Sequence, residues 1–177
     1  MLTAKPKVKR TKTAQQALES LMRLCARAER SSGDALRLMK GWEVPSEHQA
    51  NVLRQLIEQR FIDDGRYAEA FVREKCNLSA WGEYKIHSAL KRKGIADDII
   101  TQALAQLSPE QNRERLAQRL QRKAKSIKYD TTYQLKTKLI RYGASLGFSL
   151  DEVIESADEV IRQLNQNREQ CEEEFYL

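Results

Sequence analysis

The chain has 177 residues and a formal net charge of +6, with 41% hydrophobic residues, 32% charged residues, seven glycines and three prolines. This composition is typical of a folded helical protein and argues against a disordered chain and against turn-rich β-structure. The sequence shows neither an apolar run near the roughly 18 residues of a membrane span nor a secretory signal, and its three cysteines form no CxxC pair, so we expect a cytoplasmic protein without disulfides or zinc.

The first third of the chain predicts a basic arm followed by three helices. Residues 1–13 contain five Lys or Arg residues and no acid, which is typical of a mobile, positively charged terminus. Apolar residues then recur at helical spacing over residues 14–29, 34–41 and 46–59, and Val44-Pro45 separates the last two helices.

The middle third carries the clearest helix signals. Asp63 and Asp64 come before an apolar stripe, and carboxylates at a helix start can cap its free N–H groups. A second helix is predicted over residues 82–93 and ends at Gly94, because glycine readily adopts the left-handed cap conformation. Asp97 begins a third helix that extends to residue 107. The residues predicted to face inward are Tyr67, Ala68, Phe71 and Val72 on the first helix and Tyr84, Ile86, Ala89 and Leu90 on the second.

Helices are also predicted over residues 109–125, 131–142 and 149–165, and the apolar positions of the middle helices recur about 50 residues away on both sides. Ala35, Met39 and Glu43 register with Ile86, Leu90 and Gly94, and so do Leu135, Leu139 and Gly143, before a four-residue insertion over residues 144–147. This repeat predicts an all-α fold of three tandem three-helix repeats in an elongated, curved array. The predicted boundaries are a basic arm (1–13), repeats over 14–61, 62–108 and 109–166, and an acidic tail (167–177).

Positive charge is concentrated on particular helix faces. Residues 113–141 contain ten basic residues against two acids, whereas the chain from residue 150 onward has nine acids against two arginines. Basic faces of this kind either are simply solvated or bind a polyanion, and phosphate contacts would be independent of nucleic-acid sequence and sensitive to salt. The candidate binding residues are Arg66, Lys85, Lys91, Arg92, Lys93, Arg115, Arg119, Arg122, Lys123, Lys138 and Arg141. Arg66 also has a structural alternative, an ion pair with Asp63.

Residues 61–95 carry a recognisable pattern. They read Phe61-Ile62-Asp63-Asp64-Gly65-Arg66-Tyr67-Ala68-Glu69-Ala70-Phe71-Val72, then Gly82, Ile86, Leu90 and Lys93-Gly94-Ile95. This pattern resembles the middle repeat of the RecX family, and the resemblance covers roughly residues 14–165. The first unit departs from the family pattern, because Gly41-Trp42-Glu43-Val44 stands where Lys-Gly-hydrophobic is expected. The motif positions, to which we assign mainly structural roles, are Asp63, Asp64, Phe71, Gly82, Ile86, Leu90, Gly94 and Ile95.

The resemblance implies a regulator rather than an enzyme. Proteins of the RecX type form tandem three-helix repeats, bind RecA–DNA filaments and limit filament growth, ATPase activity and strand exchange in DNA repair, recombination and the SOS response. We therefore expect a monomer whose partners are the RecA filament and single-stranded DNA, bound through the filament or directly, with no membrane partner.

The residues themselves show no catalytic constellation and no metal or cofactor site, so no cofactor is expected. The alternative function is an autonomous helical DNA-binding protein such as a helix-turn-helix repressor. It is disfavoured because the second helix of each repeat is short and has few side chains suited to reading base edges.

Overall fold

A computed structural model of the chain describes the backbone of residues 11–175 and the side chains of residues 11–167. Within this range the chain forms α-helices and one π-helical turn and has no β-strand, so the predicted all-α fold of three-helix repeats is confirmed. Residues 1–10 of the predicted basic arm lie outside the described residues, as do the side chains of the predicted acidic tail from residue 168 onward.

Nine helices follow one another in the described range, in the order that the hydrophobic periodicity predicts. They are α1 (Ala14–Cys25), α2 (Ser32–Gly41), α3 (Ser46–Glu58), α4 (Asp64–Glu74), α5 (Glu83–Arg92), α6 (Asp97–Leu104), α7 (Pro109–Ser126), α8 (Thr132–Leu146) and α9 (Leu150–Phe175). A π-helical turn, Lys75–Ser79, follows α4 directly. Four helix ends differ by at least three residues from the sequence prediction: α1 stops at Cys25, α6 stops at Leu104, α8 continues into the four-residue insertion, and α9 runs on through the residues predicted as an acidic tail.

The chain divides into two compact units. Unit 1 comprises the residues up to Ala70 together with Leu90–Thr101, and unit 2 comprises Phe71–Ala89 together with the residues from Gln102 onward. Unit 1 contains the core formed by α1, α2 and α3, whose fully buried side chains include Leu21, Met39, Leu56 and Ile62. Unit 2 contains the core of α7, α8 and α9, in which Leu116, Leu120, Leu139 and Val153 are at most 1% exposed.

Hydroxyl side chains start several helices by accepting hydrogen bonds from free backbone N–H groups. Thr13 forms a reciprocal capping box with Gln16 at the start of α1, and Ser31 caps α2. In unit 2, Ser108 caps α7, which has proline in its first turn, and Thr131 caps α8. Each such cap contributes about 1 kcal/mol to helix stability, so polar residues between the apolar stripes fix where these helices begin.

Chain reversals after the second helix of each repeat place one residue in the left-handed region. The φ angle is +80° at Gly94 and +91° at Gly147, and it is +55° at Glu43. Gly94 and Glu43 occupy the positions that the repeat alignment brings together, whereas Gly143 does not act as the cap that its alignment with Gly94 implies. Gly143 is buried inside α8 against Val153, and Gly147 at the end of the insertion takes the left-handed conformation instead.

One residue predicted to face the core does not. Tyr84 lies in the first turn of α5 with 68% of its surface exposed, so that prediction is wrong. Helical periodicity identifies the apolar side of α5 through Ile86 and Leu90, both of which are fully buried. An aromatic side chain at the edge of this stripe can remain in solvent because its hydroxyl is well hydrated there.

Candidate functional site

The candidate basic residues fall into two groups that belong to different compact units. Unit 1 contains Arg66, Lys91, Arg92 and Lys93, and unit 2 contains the other seven. The two groups also differ in what their charges contact. Most of the cations in unit 1 are paired with carboxylates, whereas those in unit 2 mainly contact backbone carbonyls, amide groups and aromatic rings.

Arg66 and the adjacent acids form hydrogen bonds that order the start of α4. The Asp63 carboxylate accepts a hydrogen bond from the Arg66 backbone N–H at 2.9 Å, which is the geometry of a helix cap. The Arg66 guanidinium pairs with Glu29 at 2.7 Å rather than with Asp63, and this hydrogen bond raises the pKa of Arg66. Asp64 accepts a hydrogen bond from the Ser32 backbone N–H at 2.8 Å, so its carboxylate supports the start of α2.

Lys93 belongs to an ionic cluster centred on a buried carboxylate. Its ammonium lies 3.1 Å from a carboxylate oxygen of Asp34, which is only 6% exposed and also pairs with Arg37. The Lys93 backbone carbonyl accepts a hydrogen bond from the buried Ser31 hydroxyl at 2.9 Å. The reversal after α5 is thus attached to the start of α2 by charge and by backbone contacts, and Lys93 acts as a structural cation within unit 1.

The other two cations at the end of α5 have different surroundings. The Lys91 ammonium pairs with Asp97 at 2.6 Å, and both side chains are about half exposed. Arg92 is exposed, and no partner for its guanidinium is found among the described residues. Of the three consecutive basic residues, Arg92 is therefore the one whose charge is available to a binding partner.

In unit 2 the basic side chains of α7 contact the π-helical turn. Arg115 donates to the Asn77 side chain at 2.9 Å, and Arg119 donates to the Leu78 carbonyl at 3.1 Å. Leu78 itself is 75% exposed. The two arginines therefore contact a turn in which π-helical hydrogen bonds replace the regular α-helical ladder. Burial raises the pKa of the Cys76 thiol in the same turn.

Further contacts continue from this turn to α8. The Lys85 ammonium lies 4.8 Å from the centre of the Trp81 ring and donates to the Ser145 carbonyl at 2.9 Å. Ser145 donates to the Tyr142 carbonyl, and the Lys123 ammonium lies 5.3 Å from the centre of the Tyr142 ring. Lys123 is one turn beyond Arg119 on α7. Within unit 2 these contacts therefore connect α7 to the π-helical turn, α5 to Trp81 and α8, and α8 back to α7.

We call this region of unit 2 the basic surface. It combines cations with two aromatic rings, and its residues are Lys85, Arg115, Arg119, Arg122, Lys123, Lys138, Trp81 and Tyr142. Lys138 donates to the Lys128 carbonyl at 2.7 Å. Arg122 and the α8 residue Arg141 are exposed, and neither has a partner among the residues that the structure describes. The sequence prediction identified the cations but not the rings or the π-helical turn that bring them together.

The motif residues lie where the backbone is tightly packed. Ile86 and Leu90 are fully buried, Ile95 is 2% exposed, and Phe71 contacts Trp81 edge-on with 6.4 Å between ring centres. A Cβ atom on Gly82 would lie 2.4 Å from the backbone carbonyl of Gly147, so only glycine fits there. Gly94 similarly lies against the backbone of Gly33. These motif positions are therefore buried or in close contact with neighbouring backbone.

Comparison with known proteins gives the same family as the motif. A family model described as "RecX, second three-helix domain" matches residues 63–104. A "Regulatory protein RecX" of Clostridium botulinum is 32% identical over 137 residues, which cover 76% of this chain and 62% of the relative. One from Oceanobacillus iheyensis is 31% identical over 125 residues, which cover 68% of this chain and 45% of the relative. The chain belongs to the RecX family.

Solved structures show the RecX fold as well. The crystal structure of RecX from Lactobacillus salivarius has a TM-score of 0.74 with 22% identity, and the match covers 86% of this chain and 97% of that one. A second "regulatory protein RecX" structure has a TM-score of 0.71 with 27% identity over 82% of this chain and 71% of that one. The chain spans roughly half to three fifths of the length of the two RecX relatives from Clostridium and Oceanobacillus.

No helix among the described residues of this RecX family member is both long enough and apolar enough to cross a bilayer.

Proposed function

We propose that this protein regulates RecA recombinase by binding RecA–DNA filaments and limiting their growth, their ATPase activity and strand exchange. Membership of the RecX family is the observation that carries this proposal, because regulation of RecA is the role that the family resemblance implies. Single-stranded DNA is then contacted through the filament or directly. The relatives are named regulatory proteins, which supports a role by binding and not by catalysis.

The basic surface of unit 2 supports the DNA part of the proposal. Its cations are held by neutral groups, namely the Leu78 and Ser145 carbonyls and the Trp81 and Tyr142 rings. Neutral partners orient these side chains without neutralising them, so the positive field remains available to phosphates. Each phosphate contact releases counterions, and binding should therefore weaken steeply as salt is added. We propose further that the protein acts as a cytoplasmic monomer.

The proposal is tested by the inhibition of RecA ATPase activity on single-stranded DNA, with Arg122→Glu as the variant. Arg122 is exposed on α7 and holds no described partner, so its replacement should leave the fold intact. We expect the concentration for half-inhibition to rise about tenfold, which corresponds to about 1.4 kcal/mol of binding free energy.

The matched control is Arg113→Glu, which makes the same charge change on the same helix. Arg113 and Arg122 are nine residues apart, so they lie on opposite sides of α7. Inhibition should be nearly unchanged in the control. Equal loss in the two variants would show that only net charge matters, and the absence of RecA inhibition by the unmodified protein would refute the proposed function. Tight binding to one defined duplex sequence without RecA would instead indicate a repressor.

A further inference from the structure

The π-helical turn Lys75–Ser79 of unit 2 presents a large apolar side chain to solvent. Leu78 is 75% exposed, the highest value for any leucine or isoleucine among the described residues. The residues two positions away on either side are buried, since Cys76 is 1% exposed and Ala80 is 5% exposed. Single exposed leucines are common on protein surfaces, so exposure alone assigns no role to Leu78.

The contacts that fix its backbone distinguish Leu78 from an ordinary surface leucine. The Arg119 guanidinium donates to the Leu78 carbonyl at 3.1 Å. One turn earlier on α7, Arg115 donates to the Asn77 side chain at 2.9 Å. Two long side chains of a neighbouring helix therefore hold the segment that presents Leu78, and the leucine side chain itself remains in water.

The residue that closes the turn has an unfavourable backbone conformation. Ala80 has a φ of +50° and a ψ of +47°, in the left-handed region that a residue with a Cβ disfavours. Its N–H donates to the Cys76 carbonyl at 3.1 Å, and the Trp81 N–H donates to the Lys75 carbonyl at 3.1 Å. Strained backbone persists where the surrounding contacts over-determine it, and both such strain and π-helical turns are frequent at functional sites. The turn around Leu78 has both features.

We propose that Leu78 is an anchor residue that inserts into an apolar pocket of a RecA protomer in the filament. The inference rests on the proposed function and deepens it, because it names a residue through which unit 2 contacts the protein component of the filament. A side chain whose backbone is already fixed needs little further ordering when it binds, so the turn is preorganised for such a contact. Moving a leucine side chain from water into an apolar pocket is favourable in itself.

The surroundings of Leu78 favour a protein over a nucleic acid as its partner. Arg119 belongs to the basic surface, which is proposed to face phosphates, and it contacts the Leu78 carbonyl. Leu78 therefore lies at the edge of the proposed DNA contact, and in a nucleoprotein filament the neighbour of the strand is the protein that coats it. Unpaired bases bind by stacking on aromatic rings, and leucine has no ring. An unpaired base is thus a poor partner for this side chain.

The test is binding of the full-length protein to immobilised oligothymidylate, either bare or coated with RecA and a slowly hydrolysed ATP analogue, measured by biolayer interferometry. The variant is Leu78→Ser, and the control is Leu150→Ser, the same change at a 59% exposed leucine at the start of α9 in the same unit. We expect the Kd of Leu78→Ser for RecA filaments to rise about tenfold, as for the loss of one buried leucine side chain. Its Kd for the bare strand should be unchanged, which also shows that the variant is folded. Leu150→Ser should bind both ligands like the unmodified protein.

Three results would overturn the proposal. The first is unchanged filament binding by Leu78→Ser. The second is an equal loss on filaments and on the bare strand, because it would place Leu78 against the nucleic acid. The third is an equal loss in Leu150→Ser, because the apolar character of the surface in general would then explain the effect. Absence of filament binding by the unmodified protein would instead refute the proposed function on which the inference rests.

Photo-crosslinking reports on the surroundings of Leu78 without depending on affinity. With p-benzoylphenylalanine in place of Leu78, irradiation of the complex with RecA filaments should give a covalent product with the RecA polypeptide. The same photoreactive residue in place of Leu150 should give much less of this product. Crosslinking at position 78 to the oligonucleotide alone, or to neither component, would overturn the proposal.

Discussion

Replacing Asp34 by alanine tests whether Lys93 is a structural cation. The carboxylate is 6% exposed and lies 3.1 Å from the Lys93 ammonium. At an effective dielectric constant of about 20, the gross attraction at this distance is about 5 kcal/mol before desolvation is subtracted. Removing one partner of a buried pair costs about 3–5 kcal/mol, because the other charge is left uncompensated. The Lys93 side chain is 35% exposed and can reach water, so we expect a loss of about 2–3 kcal/mol.

The assay is urea unfolding, with the Asp158→Ala variant as the control. Asp158 pairs with Lys136 at 2.5 Å, but these side chains are 43% and 37% exposed, so that pair should contribute less than about 1 kcal/mol. A double-mutant cycle of Asp34→Ala with Lys93→Met isolates the pair from the contacts of Asp34 with Arg37 and with the helix dipole. A coupling energy no larger than that of the exposed pair would refute the reasoning, and Lys93 would then return to the candidate DNA contacts.

Two further predictions concern the backbone and pH. Gly147→Ala should lower the free energy of unfolding, measured by thermal melts, by at least about 2 kcal/mol, because φ is +91° and the added Cβ would lie 2.4 Å from Lys85 Cβ. The control is Gly41→Ala, whose added Cβ meets nothing within 4 Å. This variant should be neutral or stabilise the protein by up to about 1 kcal/mol in the same melts. Burial raises the pKa of Tyr67 above its ordinary value of 10.0, so the folded state keeps the phenol protonated when the unfolded state has lost the proton. The contribution of Tyr67 to the free energy of unfolding should therefore be fully present below pH 10 and fall as the pH rises further. Urea unfolding at a series of pH values should show this fall, and Tyr67→Phe should remove it. An identical dependence of the unfolding free energy on pH in both proteins would contradict this assignment.

The helices could be predicted because their signal is local. Apolar spacing identifies α2, α3 and α7 to within a few residues, because the groups that decide them are neighbours in the chain. Ser31 and Ser108 cap α2 and α7, whereas α3 follows Pro45 without a side-chain cap. The repeat alignment also placed Glu43 at the position of Gly94, and both adopt positive φ. It misplaced the cap of α8, because an insertion lets the helix continue until the next residue that tolerates the left-handed conformation, Gly147.

The partners of the candidate cations could not be predicted. Lys85 and the carbonyl it contacts are 60 residues apart in the chain, and Arg119 and its carbonyl are 41 apart. Charge patterning shows that a helix has a basic face but not whether a carbonyl, a ring or an acid lies opposite that face.

The contact between Gly82 and Gly147 affects how charge experiments on unit 2 can be interpreted. The Gly82 N–H donates to the Leu146 carbonyl at 2.8 Å, and the Tyr84 N–H donates to the Gly147 carbonyl at 3.1 Å. Besides the bond from the Lys85 side chain to the Ser145 carbonyl, these two main-chain hydrogen bonds therefore position the start of α5 beside the turn that joins α8 to α9. Replacing Lys85 by a neutral or acidic residue removes its charge while these two hydrogen bonds remain. A change in DNA affinity after that substitution thus reports on the electric field at the protein surface, with little contribution from a displaced helix.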